Sequence, residues 1–159
     1  IYMGNPLNKD TEMGPVANRN QFDSILNHIN NAIAEGAELI TGGKRVEEGE
    51  LAKGYFIAPT VLAVKNDMEV AQTEIFGPVL SVIRFKTEEE AIQIANDTKY
   101  GLASGVWTEN VSRAHRVAKA IKAGVVWINT YRSSGAQAPF GGYKQSGFGR
   151  ERRDRKSVV

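Results

Sequence analysis

From Val79 to Asn129 the chain alternates short apolar runs of strand-forming residues with longer amphipathic stretches, and no other feature restricts its fold so tightly. Residues 79–85 read as a strand, 87–97 as a helix, 103–108 as a strand, 111–123 as a helix and 125–129 as a strand, a βαβαβ succession. Val125, Val126, Trp127 and Ile128 are apolar on both faces, which suits a parallel sheet covered by helices on both sides. The predicted class is therefore α/β, an open, mostly parallel twisted sheet with right-handed crossovers and helices on both faces. Thr87 and Glu90 stand at capping-box spacing. Gly124 is placed to end the second helix as a left-handed stop, after Ala114, Val117, Ala118 and Ile121 have been buried.

The preceding half is less regular. Residues 1–17 read as loop, punctuated by Gly4, Asn5, Pro6, Gly14 and Pro15. From Asn18, the residues Phe22, Ile25, Leu26, Ile29 and Ile33 share one face of a helix that closes near Gly36. Residues 38–41 form a short strand ended by Gly42 and Gly43, and 44–54 read as a surface loop or hairpin connection. Residues 55–64 are strand-forming, but Pro59 either demotes that strand to an edge or splits it at a bulge. From Ala138 the character changes to glycines interleaved with Tyr143, Lys144, Ser146 and Arg150, and no internal repeat is visible.

Composition bounds the function. A chain of 159 residues with 42% hydrophobic and 24% charged residues is globular and by default one domain. Twenty cations against eighteen carboxylates leave a net charge of +2, too balanced for a protein built around a polyanion. The last ten residues hold five cations and two carboxylates, with no interleaved aromatic residues, and read as a solvated end, so no nucleic-acid partner is expected. No apolar run approaches the roughly 18 residues of a membrane span, and the opening lacks a signal-peptide pattern, so no membrane association is expected and a cytoplasmic location is. The absence of cysteine excludes disulfides, thiolate metal sites and a cysteine nucleophile within these residues.

Ligands of open parallel sheets gather beyond the carboxyl ends of the strands, which directs attention to the segments after Phe85, Thr108 and Asn129. Asn129, Thr130, Tyr131, Arg132, Ser133 and Ser134 offer donors and acceptors in a row, followed by Phe140 and a double glycine. Residues 141–150 match neither P-loop nor dinucleotide-fingerprint spacing. Glu74, between Thr73 and the Ile75-Phe76-Gly77-Pro78 turn, has two readings. It is a surface carboxylate leading into a buried strand, or an acceptor for the vicinal hydroxyls of a ribose beside an aromatic face. His28 and His115 read as helix-surface residues without partners at metal-ligand spacing, so no metal site is expected. Phe22, Trp107 and Trp127 read as core, and no serine stands in a nucleophile elbow.

Two long motifs then become recognisable, Glu74-Ile75-Phe76-Gly77-Pro78-Val79 and the run from Pro139 through Gly141-Gly142-Tyr143-Lys144-Gln145-Ser146-Gly147-Phe148-Gly149-Arg150 to Glu151. With Gly54-Tyr55-Phe56-Ile57-Ala58-Pro59-Thr60-Val61 and Ala123-Gly124-Val125-Val126-Trp127-Ile128-Asn129, the chain closely resembles the NAD(P)-dependent aldehyde dehydrogenase superfamily. The resemblance covers residues 4–151 and corresponds to about the last third of a family member, the C-terminal part of the catalytic domain, here bounded as 1–151.

By that resemblance, Glu74 would grip the hydroxyls of the nicotinamide-side ribose, and Phe76 would pack beside it, with NAD or NADP as cofactor. Phe140 would line the substrate funnel, and Tyr131, Arg132 and Ser134 belong to the loop that would form its mouth for a small aldehyde. Arg132 and Ser134 stand where some relatives carry an acidic residue and a large aromatic; the guanidinium either favours a substrate with a carboxylate or another anion, or points to solvent. The resemblance also implies a chemistry of cysteine thiolate, thiohemiacetal, thioester and glutamate base. Neither the nucleophile nor the base lies in this chain, so no catalytic residue is assigned and the isolated chain is expected to be inactive. The parent would be a homodimer or homotetramer, and residues 152–159 depart from the family pattern. The competing reading is an inactive dehydrogenase-like binding or structural module.

Overall fold

Asn18 starts the first helix. Its backbone is extended (φ −158°, ψ 171°) and its side chain accepts the Gln21 amide at 2.9 Å, the N-cap of α1, Arg19–Ala34. Phe22, Ile25, Ile29 and Ala32 form the buried stripe of α1. Leu26 and Ile33 lie on its margin, so Leu26 is half-buried and Ile33, expected inside, is exposed. The helix closes near Gly36, as expected; that glycine is left-handed (φ 97°), and the amides of Gly36 and Ala37 donate to Ile33 and Ala32 at 3.0 and 2.8 Å.

The computed structural model describes residues 1–133, 135 and 137–151, and divides after Arg84 into two compact units. Residues 152–159, expected to form a departing basic tail, lie outside the described residues.

In the first unit β1 (Glu38–Thr41), β2 (Thr60–Ala63) and β3 (Val79–Val82) form a sheet in that order. β1 is antiparallel to β2 and β2 is parallel to β3, with Thr60 opposite Val79. β2 is thus central, so of the two alternatives for Pro59 the edge strand does not hold and the split run does. Pro59 instead divides the strand-forming run: Ile57 bridges to Arg45 before it and β2 begins just after it, so its missing N–H lies outside the ladder. The connection at 44–54 contains a 3₁₀ turn, Gly49–Lys53, and a short α2 spans Glu69–Gln72. Two buried clusters, Phe22, Ile25, Ile29 and Ile57, then Ala32, Ala37, Leu62 and Val70, join α1 and α2 to one face of the sheet. Burying each large side chain contributes about 1.5–3 kcal/mol. His28 is half-buried rather than a surface residue, with Nδ1 3.8 Å from Glu69 at the start of α2.

The second unit holds α3 (Glu88–Asn96), β4 (Tyr100–Gly101), β5 (Ala103–Val106), α4 (Val111–Ala120), β6 (Val125–Ile128) and β7 (Tyr143–Lys144). β5, α4 and β6 form a parallel βαβ unit with Ala103 opposite Val125 and Val106 opposite Ile128. β4 pairs antiparallel with β7, a pairing invisible in the glycine-rich sequence. Thr87 caps α3 by accepting the Glu90 amide at 3.1 Å, while the Glu90 carboxylate accepts from the Lys86 amide at 2.7 Å, one residue outside the usual box.

Gly124 is not a left-handed stop: it is absent from the positive-φ residues, and α4 closes at Ile121, which is extended (ψ 128°). A Cβ at Gly124 would fall on the Gly141 carbonyl oxygen, so this glycine serves a close backbone approach. Trp107, expected in the core, lies past the end of β5 and is 63% exposed, whereas Trp127 on β6 is half-buried. The molecule is α/β with helices and with parallel and mixed sheets, as its periodicity predicts, although among the described residues the strands are shared among three sheets. No helix among the described residues is long and apolar enough to cross a membrane.

Candidate functional site

The turn at residues 74–78 is built from α1 and β2. Ile75 is half-buried against both core clusters and anchors the turn. Gly77 sits so close to α1 that a Cβ there would lie 2.5 Å from Ile25 Cδ1. The amide of Thr60 donates to the Pro78 carbonyl at 2.8 Å and starts β3 alongside β2. Gln21 of α1 donates through Nε2 to the carbonyls of Ile75 at 2.8 Å and Phe76 at 3.3 Å. These ties hold Phe76 in the left-handed region (φ 54°), where a bulky residue is strained, and its ring is 73% exposed.

Glu74 is also exposed, and its carboxylate makes no hydrogen bond or ion pair among the described residues. The turn therefore presents an acceptor-only carboxylate and an aromatic ring two residues apart on a braced backbone. A cleft of about 520 Å³ borders it, lined in part by Gly14, Pro15, Asn18, Gln21, Phe76 and Pro78.

In the second unit the segment after β6 is fixed at both ends. Asn129 is left-handed (φ 52°); its Oδ1 accepts the Thr108 amide at 2.8 Å and its Nδ2 donates to the Thr108 carbonyl at 2.9 Å. Trp127 Nε1 donates to the Ser133 carbonyl at 2.5 Å. The Tyr131 ring meets Trp127 edge-on with centroids 5.2 Å apart, and the Arg132 guanidinium lies 5.6 Å from the Tyr131 centroid. Ser134, expected in this loop, lies outside the described residues. Phe140 is half-buried and exchanges two backbone hydrogen bonds with Glu151, at 3.1 and 2.8 Å.

Residues 141–150 serve to hold the unit together. Lys144 Nζ donates to the carbonyls of Asn96 and Thr98 at 2.8 and 2.9 Å, covering the end of α3. Arg150 donates to the Gly142 carbonyl at 2.7 Å, and its guanidinium lies 5.0 Å from the Tyr143 ring centroid. Ser146 Oγ accepts the Gly101 amide at 3.0 Å.

Glu74 and Phe76 thus share the first unit, and Tyr131, Arg132 and Phe140 belong to the second. Sequence reasoning missed Gln21, whose contact with the turn spans 54 residues and leaves no local signal. It marked Asn129 only as one polar group in a row; a left-handed asparagine directly after a strand is the clue that was available.

A second cleft, of about 560 Å³, opens in the second unit between Phe85, Thr108 and the helices α3 and α4, where ligand-binding segments were sought. On its lining, Glu88 accepts from Arg116 Nε at 2.6 Å and from Arg113 Nε at 3.0 Å, and Arg116 above all holds its carboxyl below the usual carboxylate range. Among the described residues no group of three or more His, Cys, Asp or Glu could hold a metal ion.

The class of protein to which this α/β chain belongs is identified by sequence comparison. The model of the aldehyde dehydrogenase family matches residues 1–158, and the chain belongs to that family. It is 52% identical over 152 residues to aldehyde dehydrogenase B of Escherichia coli strain K12, covering 95% of this chain and 30% of that protein. A crystal structure of betaine aldehyde dehydrogenase from Staphylococcus aureus in complex with NAD+ superposes with a TM-score of 0.90 at 47% identity, over 94% of this chain and 30% of that one. HpcC from Thermus thermophilus gives a TM-score of 0.92 at 44% identity, over 95% and 30%. The chain therefore spans about 30% of the length of these relatives.

Proposed function

We propose that this chain is the C-terminal part of the catalytic domain of an enzyme that converts an aldehyde, NAD(P)+ and water to a carboxylic acid, NAD(P)H and a proton. Membership of the aldehyde dehydrogenase family supports this reading, and so does the NAD+ bound in the Staphylococcus aureus relative. The observation that carries it is the turn at 74–78, where an exposed carboxylate without a partner among the described residues and an exposed ring stand two residues apart on a backbone braced by Gln21. That donor-poor pair suits the cofactor: Glu74 would accept from the two ribose hydroxyls, and the Phe76 ring would pack beside the nicotinamide. When bound, the cofactor supplies the acceptor for the hydride.

Tyr131, Arg132, Ser134 and Phe140 belong to the walls that receive a small aldehyde. The nucleophilic cysteine and the base glutamate are supplied from outside these 159 residues, which contain no cysteine. The enzyme works in the cytoplasm as a homodimer or homotetramer, with no metal and no nucleic-acid partner.

In the enzyme that carries this chain, Glu74→Gln is expected to weaken NAD+ binding about tenfold, the loss of charge from an acceptor of two hydroxyl donors. Titration of NAD+ by fluorescence quenching checks it, and unchanged affinity removes Glu74 from the cofactor site. The lack of cysteine favours one second reading, a dehydrogenase-like binding or structural module. The intact mass of the native polypeptide separates the two. A mass several times 17.4 kDa supports the enzyme, and a mass near 17.4 kDa supports the module.

A further inference from the structure

Arg132 is a guanidinium packed on an aromatic ring with no anion beside it among the described residues. Its backbone is left-handed (φ 57°), its charge lies over the Tyr131 ring, and that ring rests edge-on against Trp127, whose indole N–H is tied to the Ser133 carbonyl. No Asp or Glu occurs between Asn129 and Glu151, and among the described residues Arg132 makes no ion pair or hydrogen bond. The neighbouring arginines differ. Arg113 and Arg116 are both engaged by Glu88, and Arg150 is engaged by backbone carbonyls. Among the described residues Arg84 also lacks such a partner, but no ring or left-handed backbone holds it there.

We propose that Arg132 is the specificity-determining residue of the substrate loop, and that it selects aldehydes whose far end carries a carboxylate. The proposal rests on the dehydrogenase reading above. A planar guanidinium offers two parallel N–H donors that match a carboxylate in a bidentate pair. Contact with the Tyr131 ring, 5.6 Å from the guanidinium carbon, restricts the side chain before the substrate arrives, so less side-chain freedom is lost on binding. An exposed loop lets the pair form without the desolvation cost of a buried ion pair.

The test compares 4-oxobutanoate with butanal, two four-carbon aldehydes that differ in a terminal carboxylate, as substrates of the enzyme that carries this chain. The expected result is a kcat/KM ratio favouring 4-oxobutanoate, which falls about tenfold or more in Arg132→Met, mainly through KM, and is partly restored in Arg132→Lys. In the unaltered enzyme the same ratio falls as sodium chloride is raised, which tests the charge without any variant. Oxidation of both aldehydes with a ratio indifferent to salt and to position 132 overturns this proposal alone. Failure to oxidise either aldehyde overturns the dehydrogenase reading and this proposal with it.

Discussion

Gly77 and Gln21 together set the turn that carries Glu74 and Phe76. The added methyl of Gly77→Ala would stand 2.5 Å from Ile25 Cδ1, 2.7 Å from Cγ1 and 3.1 Å from Cγ2. Ile25 is fully buried, so its side chain has no free space to rotate into. Gly77→Ala is expected to destabilise the chain by about 1–3 kcal/mol, the usual cost of overpacking, and urea unfolding checks it. An unchanged midpoint would mean that α1 shifts to make room. None of this is legible locally: Gly77 and Pro78 announce a turn, but the need for a bare α-carbon comes from Ile25, on a helix distant in sequence. Trp107 teaches the opposite lesson, since an aromatic residue in a strand-like run was read as core and stands in solvent because β5 stops at Val106.

At the scale of elements, the helix starts were the most readable features. Asn18, Thr87 and Asn110 each accept the amide three residues on, because a short polar side chain before an amphipathic run satisfies a free amide wherever the helix later packs. Helix ends were less so: Gly36 acts as foreseen, Gly124 does not, and Lys144 reaches the end of α3 from a distant strand. The pairing of α3 with α4 through Glu88, Arg113 and Arg116 yields a pH prediction. The folded carboxyl of Glu88 is held below its ordinary range, by Arg116 first, so the unfolded chain takes up the proton more readily. Its stabilising contribution is therefore complete above the ordinary carboxylate value of about 4.3 and is lost as pH falls through that value to the folded one. Thermal midpoints of the native chain and of Glu88→Gln are expected to differ near neutrality and to converge in acid; a constant gap would show that the ion pairs contribute nothing.

For the whole molecule, one face of the first unit's sheet is covered by α1 and α2, and the other shows Leu80 and Val82 exposed beside half-buried Val61 and Ala63. Apolar surface of this kind marks an interaction face. Produced alone, the 159-residue chain is expected to self-associate, with a sedimentation-average mass that rises with concentration; a constant monomer mass would refute this. Given an aldehyde and NAD+, the isolated chain is also expected to form no NADH, since it lacks a thiol to attack the carbonyl. Any NADH formation by the pure chain would overturn that expectation.

The α/β alternation, the helix starts and the family motifs were set by residues within a few positions of one another, and the sequence by itself determined them because periodicity and capping are local. The order of β1, β2 and β3, the left-handed Phe76, the brace from Gln21, the use of Gly124 and the placing of Arg132 over a tyrosine that meets Trp127 were decided by the tertiary structure. Each depends on which distant backbone or ring occupies the space beside a residue, and local propensity carries no record of that neighbour.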